Sequence, residues 1–252
     1  MNVIVPVAGE GRRFREAGFQ DPKPFIRVAG KRMIEWALEP IPIDWKIHLI
    51  CQEKHLFNFA AWNADKNFYK SVSLYPLAGI TQGAACTILA ALVGLPANEP
   101  VAVMNGDQYF HLKEEDKDLN TLCEAALGAG WDGFILTFTG EGVRWSYVRV
   151  VQGFVQTVRE KEPISDQATV GFYWFRRADD LLRACAIMIA ENIRHAGEFY
   201  LAPCYNELIW RFRRKVKAVP VHSMFGLGTP EDVQTFEQVH HLTLKTQRLS
   251  KE

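Results

Sequence analysis

No Cys-x-x-Cys pair occurs in this chain; Cys51, Cys86, Cys123, Cys185 and Cys204 are scattered singly along it. That spacing suggests no thiolate-rich zinc site and offers no disulfide framework. With no signal-like start, the thiols read as reduced ones in a cytosolic protein. Neither charge is in excess. Lys plus Arg and Asp plus Glu each total 29, for a formal net charge of zero. No global field draws the chain to nucleic acid or to a membrane, so an anionic ligand has to be met by a local site. Apolar runs stop well short of the roughly 20 residues that span a bilayer. Internal repeats and low-complexity linkers are missing as well. The 252 residues can bury a substantial core in one domain without staples.

The pattern of apolar residues is that of a parallel α/β protein. Val3-Ile4-Val5-Pro6-Val7-Ala8 is a β-branched run ending in Gly9-Glu10-Gly11, which is how a buried parallel strand enters a loop. Similar runs recur at Lys46 to Cys51, Val72 to Tyr75, Pro100 to Met104 and Gly133 to Thr137. Between and after them lie stretches with helical spacing, among them Gly83 to Leu95 and Ala178 to Glu191. From Ser146 to Phe175 closely spaced segments with Gly153 at a hairpin turn predict an antiparallel insertion carrying an acceptor site. The polar tail from His240 to Glu252 reads as the fraying end of a helix.

Three short segments have the residue types that phosphate chemistry needs. In Gly9-Glu10-Gly11-Arg12-Arg13-Phe14 small residues let backbone amides approach phosphate oxygens, and two guanidiniums can neutralise them. Phe14 stands where a dinucleotide fingerprint has its third glycine, and no Gly-Lys-Ser/Thr follows as in a P-loop. A tight strand-to-helix turn with solvated arginines reads the same way. In Pro22-Lys23-Pro24 two prolines stiffen the chain around one lysine, which is either presented to a fixed phosphate or simply solvated on a turn. Asp107 follows the strand ending at Met104, at the carboxyl edge where open parallel sheets bind ligands. It is placed either to hold a divalent cation or to cap the next segment.

Taken in order, these segments resemble the nucleotidyltransferases that activate sugar phosphates and related metabolites. The resemblance runs over nearly the whole chain, through Gly30-Lys31-Arg32-Met33-Ile34, Gln82-Gly83-Ala84-Ala85, Gly106-Asp107, Glu160-Lys161, Gly171-Phe172-Tyr173 and Gly228-Thr229-Pro230-Glu231. Trp145-Ser146-Tyr147, Glu198-Phe199-Tyr200 and Tyr205-Asn206 look like a branch associated with surface-polysaccharide precursors. The resemblance implies a three-layer, Rossmann-like α/β fold of the GT-A-like kind. Its sheet is mostly parallel, with helices on both faces and a small antiparallel insertion. One domain would span 1–252, with a nucleotide part at about 1–140, an acceptor part at about 141–230 and a C-terminal helix at about 229–247. Relatives often associate, so a homo-oligomer is a further expectation.

The same resemblance implies roles for single residues. Amides at Ala8, Gly9 and Gly11, with Arg12 and Gly106 beside them, would cradle a nucleoside triphosphate. Arg13 would hold the β- and γ-phosphates, Lys23 would lie against the α-phosphate, and Gln82 and Gly83 would read the base. Asp107 would bind Mg²⁺. Glu160, Lys161, Gly171, Glu198, Tyr200 and Asn206 would face the phosphorylated acceptor. An acceptor phosphate is already a nucleophile at neutral pH, so alignment and charge stabilisation suffice without a general base. None of the seven histidines is needed.

Two positions depart from the family's pattern. Arg12 replaces a Ser or Thr beside the loop arginine, so either Arg12 or Arg13 can be the working one. Gly226 stands where many members have an acidic second metal ligand, and Glu198 is a substitute candidate for it. A sugar 1-phosphate and a pyrimidine nucleotide are the expected substrates. The alternatives are a cytidylyltransferase acting on a phosphorylated amino alcohol, a glycosyltransferase of related fold, and a regulatory homologue that binds without turnover. The paired-Asp motif usual in such glycosyltransferases is missing, because Gln108 and Tyr109 follow Asp107.

Overall fold

A computed structural model describes residues 1–66 and 71–249, without the side chains of 65–66 and 243–249. In chain order the strands are β1 Asn2–Pro6, β2 Arg27–Val28, β3 Lys31–Arg32, β4 Lys46–Gln52, β5 Ser71–Leu77, β6 Val101–Met104, β7 Gln108–His111, β8 Gly133–Thr139, β9 Ser146–Val151, β10 Phe154–Glu160, β11 Gln167–Phe175, β12 Val216–Pro220 and β13 Ser223–Gly226. The helices are α1 Arg12–Glu16, α2 Met33–Leu38, α3 Leu56–Lys66, α4 Ala84–Leu92, α5 Leu119–Gly128, α6 Ala178–Ala190, α7 Cys204–Trp210 and α8 Pro230–Leu249.

Among the described residues nine strands form one sheet, in the order β10-β9-β11-β6-β1-β4-β5 with β8 and β12 branching from β11. Strand β1 lies parallel to both β4 and β6, and β4 parallel to β5. Alternation along each strand splits the core between two faces. Val3, Val5, Ala102 and Met104 pack on one face with α2, α3 and α5; Ile4, Val101 and Val103 pack on the other with α4, α6 and α7. The helix–sheet–helix layering expected from the sequence follows from that split. A third cluster, with Phe14, Trp36, Leu227 and Phe236, ties α1, α2 and α8 together.

The antiparallel part is continuous with the main sheet. Strand β11 pairs antiparallel with β6 along Phe172–Phe175, and the β9–β10 hairpin is added beyond it. The register of β11 against β8 shifts between Thr169 and Tyr173. Gly171 lies in that irregular stretch with φ of 88°. A β-carbon there would overlap Gln108 and Asn105, and the Gly171 carbonyl accepts the Asn105 amide at 2.8 Å. This glycine therefore positions the loop that carries Asp107; it does not line the cavity as an acceptor contact.

The strand ends expected at Cys51, Tyr75, Met104 and Thr137 fall within two residues of those observed. Strands β7, β12 and β13 were not anticipated; they pair in short antiparallel or edge arrangements that periodicity alone does not reveal. Helix α8 starts at Pro230, where the Thr229 hydroxyl accepts the Asp232 amide at 3.2 Å and the Asp232 carboxylate accepts the Thr229 amide at 3.1 Å. That reciprocal cap fixes the start close to the predicted position. The last residues of the predicted tail, 250–252, lie outside the described residues. No helix among the described residues is long and apolar enough to cross a membrane.

Candidate active site

The loop after β1 turns at Gly11, whose φ of 62° is left-handed and where a β-carbon would stand 2.9 Å from the Lys23 β-carbon. Glycine thus lets the loop close onto Lys23. The Gln52 side chain donates to the Ala8 carbonyl at 2.7 Å and fixes the loop's other end. Ala8, Gly9 and Gly11 line a cavity of about 620 Å³, and their amides donate to no other described group. Arg12 and Arg13 line it too. Arg12 has an exposed partner in Glu16 at 3.8 Å, whereas Arg13 makes no ion pair among the described residues and also lines a second, adjoining cavity.

Lys23 sits on a single turn, Lys23–Phe25, with Pro22 before it and Pro24 inside it. Its Nζ donates to Asp107 Oδ2 at 2.6 Å and to the Gly228 carbonyl at 3.4 Å. Gly106, just before Asp107, packs so tightly on Val7 that a β-carbon would clash with its side chain. Lys23 and Asp107 stand in the walls of both cavities.

On the far side, Gly83 precedes α4 and meets the backbone of Phe199. The Phe199 amide donates to the Gln82 carbonyl at 2.8 Å and its carbonyl accepts the Ala85 amide at 3.0 Å. A two-residue turn at Ala196 and Gly197, both with positive φ, carries the chain from His195 to Glu198. Glu198 and Tyr200 are thereby brought into the cavity wall. The Gln82 side chain is not: its Oε1 accepts from Arg194, which turns it along the surface beside the cavity. Thr81 and Gly83 line the wall at that place, with Gln82 between them in sequence and its side chain on Arg194.

The second cavity, of about 480 Å³, holds Glu160, Lys161 and Tyr200. Lys161 adopts φ of 55° at the end of β10, and its Nζ donates to Tyr200 Oη at 2.5 Å. Glu160 is buried and accepts from the Ser146 hydroxyl. Burial pushes its carboxyl above the usual range, with the Ser146 bond and the Lys161 charge opposing the rise. Asn206 does not join this group. It is buried on α7, with Oδ1 accepting the Val158 amide at 2.8 Å and Nδ2 donating to the Val158 carbonyl at 2.9 Å. The sequence puts Asn206 close to Tyr200, but the intervening turn and α7 send it to the edge of the sheet.

Asp232 and Arg144 are lining residues that sequence reading passed over. Asp232 Oδ1 accepts from Arg144 Nη2 at 2.7 Å and Oδ2 accepts the Thr229 amide, so both oxygens are engaged. The Thr-x-x-Asp spacing at Thr229 signals the cap, while nothing in the spacing of Arg144 signals its place. Among the described residues no three His, Cys, Asp or Glu side chains gather as a metal cage. One carboxylate facing a cavity fits Mg²⁺, which commonly takes one or two protein carboxylates and completes its shell with phosphate and water.

No protein-family model and no curated protein matches the chain. Among solved structures, a nucleoside-diphosphate-sugar pyrophosphorylase from Vibrio cholerae RC9 is 25% identical with a TM-score of 0.78, covering 94% of this chain and 100% of its own. A UDP-glucose pyrophosphorylase complexed with UDP-glucose is 16% identical with a TM-score of 0.76, over 96% of this chain and 98% of its own. The inositol-1-phosphate CTP transferase from T. maritima, 13% identical, has a TM-score of 0.67 over 94% and 93%. Over nearly its whole length, then, this chain is a structural match to the nucleoside-diphosphate-sugar pyrophosphorylases and nucleotidyltransferases, and it has their mixed α/β fold.

Proposed function

We propose that the protein is a Mg²⁺-dependent nucleotidyltransferase that transfers a nucleoside monophosphate from its triphosphate to a sugar 1-phosphate, yielding a nucleoside-diphosphate sugar and pyrophosphate. The observation that carries this reading is the pair of adjoining cavities that share Lys23 and Asp107 in their walls. One is built mainly from the loops after β1 and β6 and the start of α4; the other mainly from residues beyond 140. Two phosphate-bearing substrates entering from the two sides would meet at the shared wall.

The chemistry asked of the chain is alignment and charge. An oxygen of the acceptor phosphate attacks the α-phosphorus, the bond to the β-phosphate oxygen breaks, and pyrophosphate leaves with the electron pair. The free amides at Ala8, Gly9 and Gly11 cradle the triphosphate, and Arg13 neutralises its outer phosphates. Lys23 lies where the α-phosphate gathers charge. Lys161 and Tyr200 orient the acceptor, with Glu160 as a hydroxyl acceptor. Asp107 would hold Mg²⁺, which supplies Lewis-acid charge to the phosphate oxygens. Glu198 lines the nucleotide-side cavity and stays a candidate second ligand. A cytoplasmic reaction that supplies surface-polysaccharide precursors is part of the same proposal.

Pyrophosphate release from a matrix of nucleoside triphosphates against sugar 1-phosphates and phosphorylated amino alcohols tests the reading. Release with a sugar 1-phosphate and a pyrimidine nucleotide supports it. Release only with an amino-alcohol phosphate moves the acceptor class, and no release with any pair sinks the enzymatic reading in favour of a binding homologue.

A further inference from the structure

Gly226 ends β13 at the wall of the second cavity, and the space in front of it is taken by the side chain of Arg144. A β-carbon on residue 226 would stand 3.2 Å from Arg144 Nη2 and 3.2 Å from Trp145 Cη2. The guanidinium lies 4.3 Å from the Trp145 ring centroid and is bound by Asp232 at 2.7 Å. Asp232 is in turn pinned by the cap of α8. Arg144 is thus held from two sides, yet its side chain keeps 49% of its exposure.

The guanidinium carries five N–H donors, and Asp232 is its only hydrogen-bond partner among the described residues. The other donors are free in a cavity that Arg13, Lys23 and Lys161 also line. Its acidic side chains are already engaged: Asp107 with Lys23, Asp232 with Arg144, and Glu160 with Ser146. A fork held by a ring and a carboxylate, with donors to spare, suits a phosphomonoester, which accepts paired hydrogen bonds.

We propose that Arg144 is a phosphate-binding residue of the acceptor cavity and that the bare backbone of Gly226 is what leaves its guanidinium free to act. The proposal rests on the nucleotidyltransferase reading for the identity of the acceptor, not for the existence of the anion site. A β-carbon at position 226 would also stand 3.7 Å from Asp232 Cγ, so a carboxylate there would compete with Asp232 for the guanidinium and neutralise it.

Inorganic phosphate is the probe, titrated by calorimetry into the wild-type chain and into Arg144→Ala, Arg144→Lys and Gly226→Asp. Arg144→Ala is expected to weaken phosphate binding about tenfold or more, as loss of a paired charge-assisted contact does. Arg144→Lys should fall between, and added guanidinium ion at low concentration should restore part of the loss in Arg144→Ala but none in Gly226→Asp. Gly226→Asp should weaken phosphate similarly while leaving the Arg144 side chain in place, so it carries the test should Arg144→Ala fail to fold. Wild-type affinity in both variants, or no phosphate binding to the wild type, overturns the proposal. So does tighter Mn²⁺ binding with faster turnover in Gly226→Asp, which would make position 226 a metal subsite. In the pyrophosphate assay, the Michaelis constant for the acceptor should rise in Arg144→Ala with that for the nucleotide nearly constant; the reverse pattern also overturns it. If the wild type releases no pyrophosphate but phosphate binding still depends on Arg144, the catalytic reading fails and the anion site stands.

Discussion

Lys23 Nζ lies 2.6 Å from Asp107 Oδ2, so the proline-bounded turn and the end of β6, 84 residues apart, close on each other through one ion pair. Both side chains remain partly open to the cavities, at 22% and 30% exposure. The carboxylate that would hold a cation is thus already facing one. Any metal must share Asp107 with Lys23 or displace it, and an arriving triphosphate gives Lys23 somewhere else to go.

Metal binding is therefore expected to be weak until nucleotide is present, because a single, already paired carboxylate offers little to offset dehydration of the ion. Lys23→Ala should bind Mn²⁺ more tightly than the wild type in the nucleotide-free state, as read by electron paramagnetic resonance. The same variant should lose turnover far more than nucleotide affinity, since the Lys23 charge is most useful when the α-phosphate is five-coordinate. Lys23→Arg should not recover fully, and Asp107→Asn should abolish metal-dependent turnover with the fold intact. Tight Mn²⁺ binding to the nucleotide-free wild type would sink the one-carboxylate site.

Lys161 belongs to the second cavity and to Tyr200, not to the phosphate loop. Lys161→Ala keeps the β-carbon, and hence the same backbone strain at φ of 55°, while removing the charge. The Michaelis constant for the acceptor phosphate is expected to rise roughly tenfold or more, with that for the nucleotide almost unchanged. Steady-state kinetics with each substrate varied in turn checks this, and a nucleotide effect would put Lys161 on the other side of the site.

Much of this was legible in the sequence because it is local. The β-branched run at Val3, the glycines at 9 and 11, the prolines around Lys23 and the Asp after β6 each report backbone geometry within a few residues, and their order carries the layered α/β fold, whereas the Lys23–Asp107 pair appears only in the structure. What stayed hidden depends on long-range closeness. Gly171 looked like an acceptor contact until β11 was seen to pass behind Asn105 and Gln108. The partner of the Gln82 oxygen, Arg194, lies 112 residues away and no local pattern announces it. Arg144 has no motif of its own; its position follows from Trp145, Gly226 and the cap of α8 meeting in space.

Gly83 shows how little room such closeness leaves. A β-carbon there would stand 2.5 Å from the Phe199 carbonyl oxygen and 2.6 Å from its amide nitrogen, with φ at 132°. Both atoms are backbone, and both are already hydrogen-bonded, the carbonyl to Ala85 at the start of α4 and the amide to Gln82 just before it. Gly83→Ala is expected to cost about 3 kcal/mol or more, the sum of left-handed strain and a broken backbone approach. Chemical denaturation gives the loss directly. A variant with unchanged midpoint and nucleotide affinity would mean that the two segments part easily and do not form a fixed wall.

Asn206 serves the sheet, and its variant should show stability loss without a site effect. Strand β10 is the edge of the sheet, so the Val158 amide and carbonyl have no strand beyond them; the Asn206 carboxamide supplies both missing partners. Asn206→Ala leaves two buried backbone groups unpaired, at about 1–3 kcal/mol each. The expected result is a lower denaturation midpoint with the acceptor's Michaelis constant unmoved at a temperature where the variant is folded. A rise in that constant without a stability loss would return Asn206 to the acceptor site.

Glu160 ties stability to pH in a direction that can be worked out. Burial raises its carboxyl in the folded chain above the ordinary value of 4.5, against the opposing Ser146 hydrogen bond. A carboxyl raised on folding favours the folded state while neutral. That contribution is complete below the unfolded value and is lost as pH climbs through the folded one, because the native state then gives up its proton less readily than the unfolded chain. Glu160→Gln is neutral throughout and its amide oxygen can still accept from Ser146. Relative to the wild type, it should therefore gain stability as pH rises from the acid side toward neutrality and then level off once Glu160 is ionised in both states. Urea denaturation of the two proteins at matched pH values reads the difference, which the linkage relation converts into the displacement of the Glu160 equilibrium. A difference independent of pH would mean that Glu160 ionises as freely in the folded protein as outside it. Ser146 and Lys161 would then fully offset its burial.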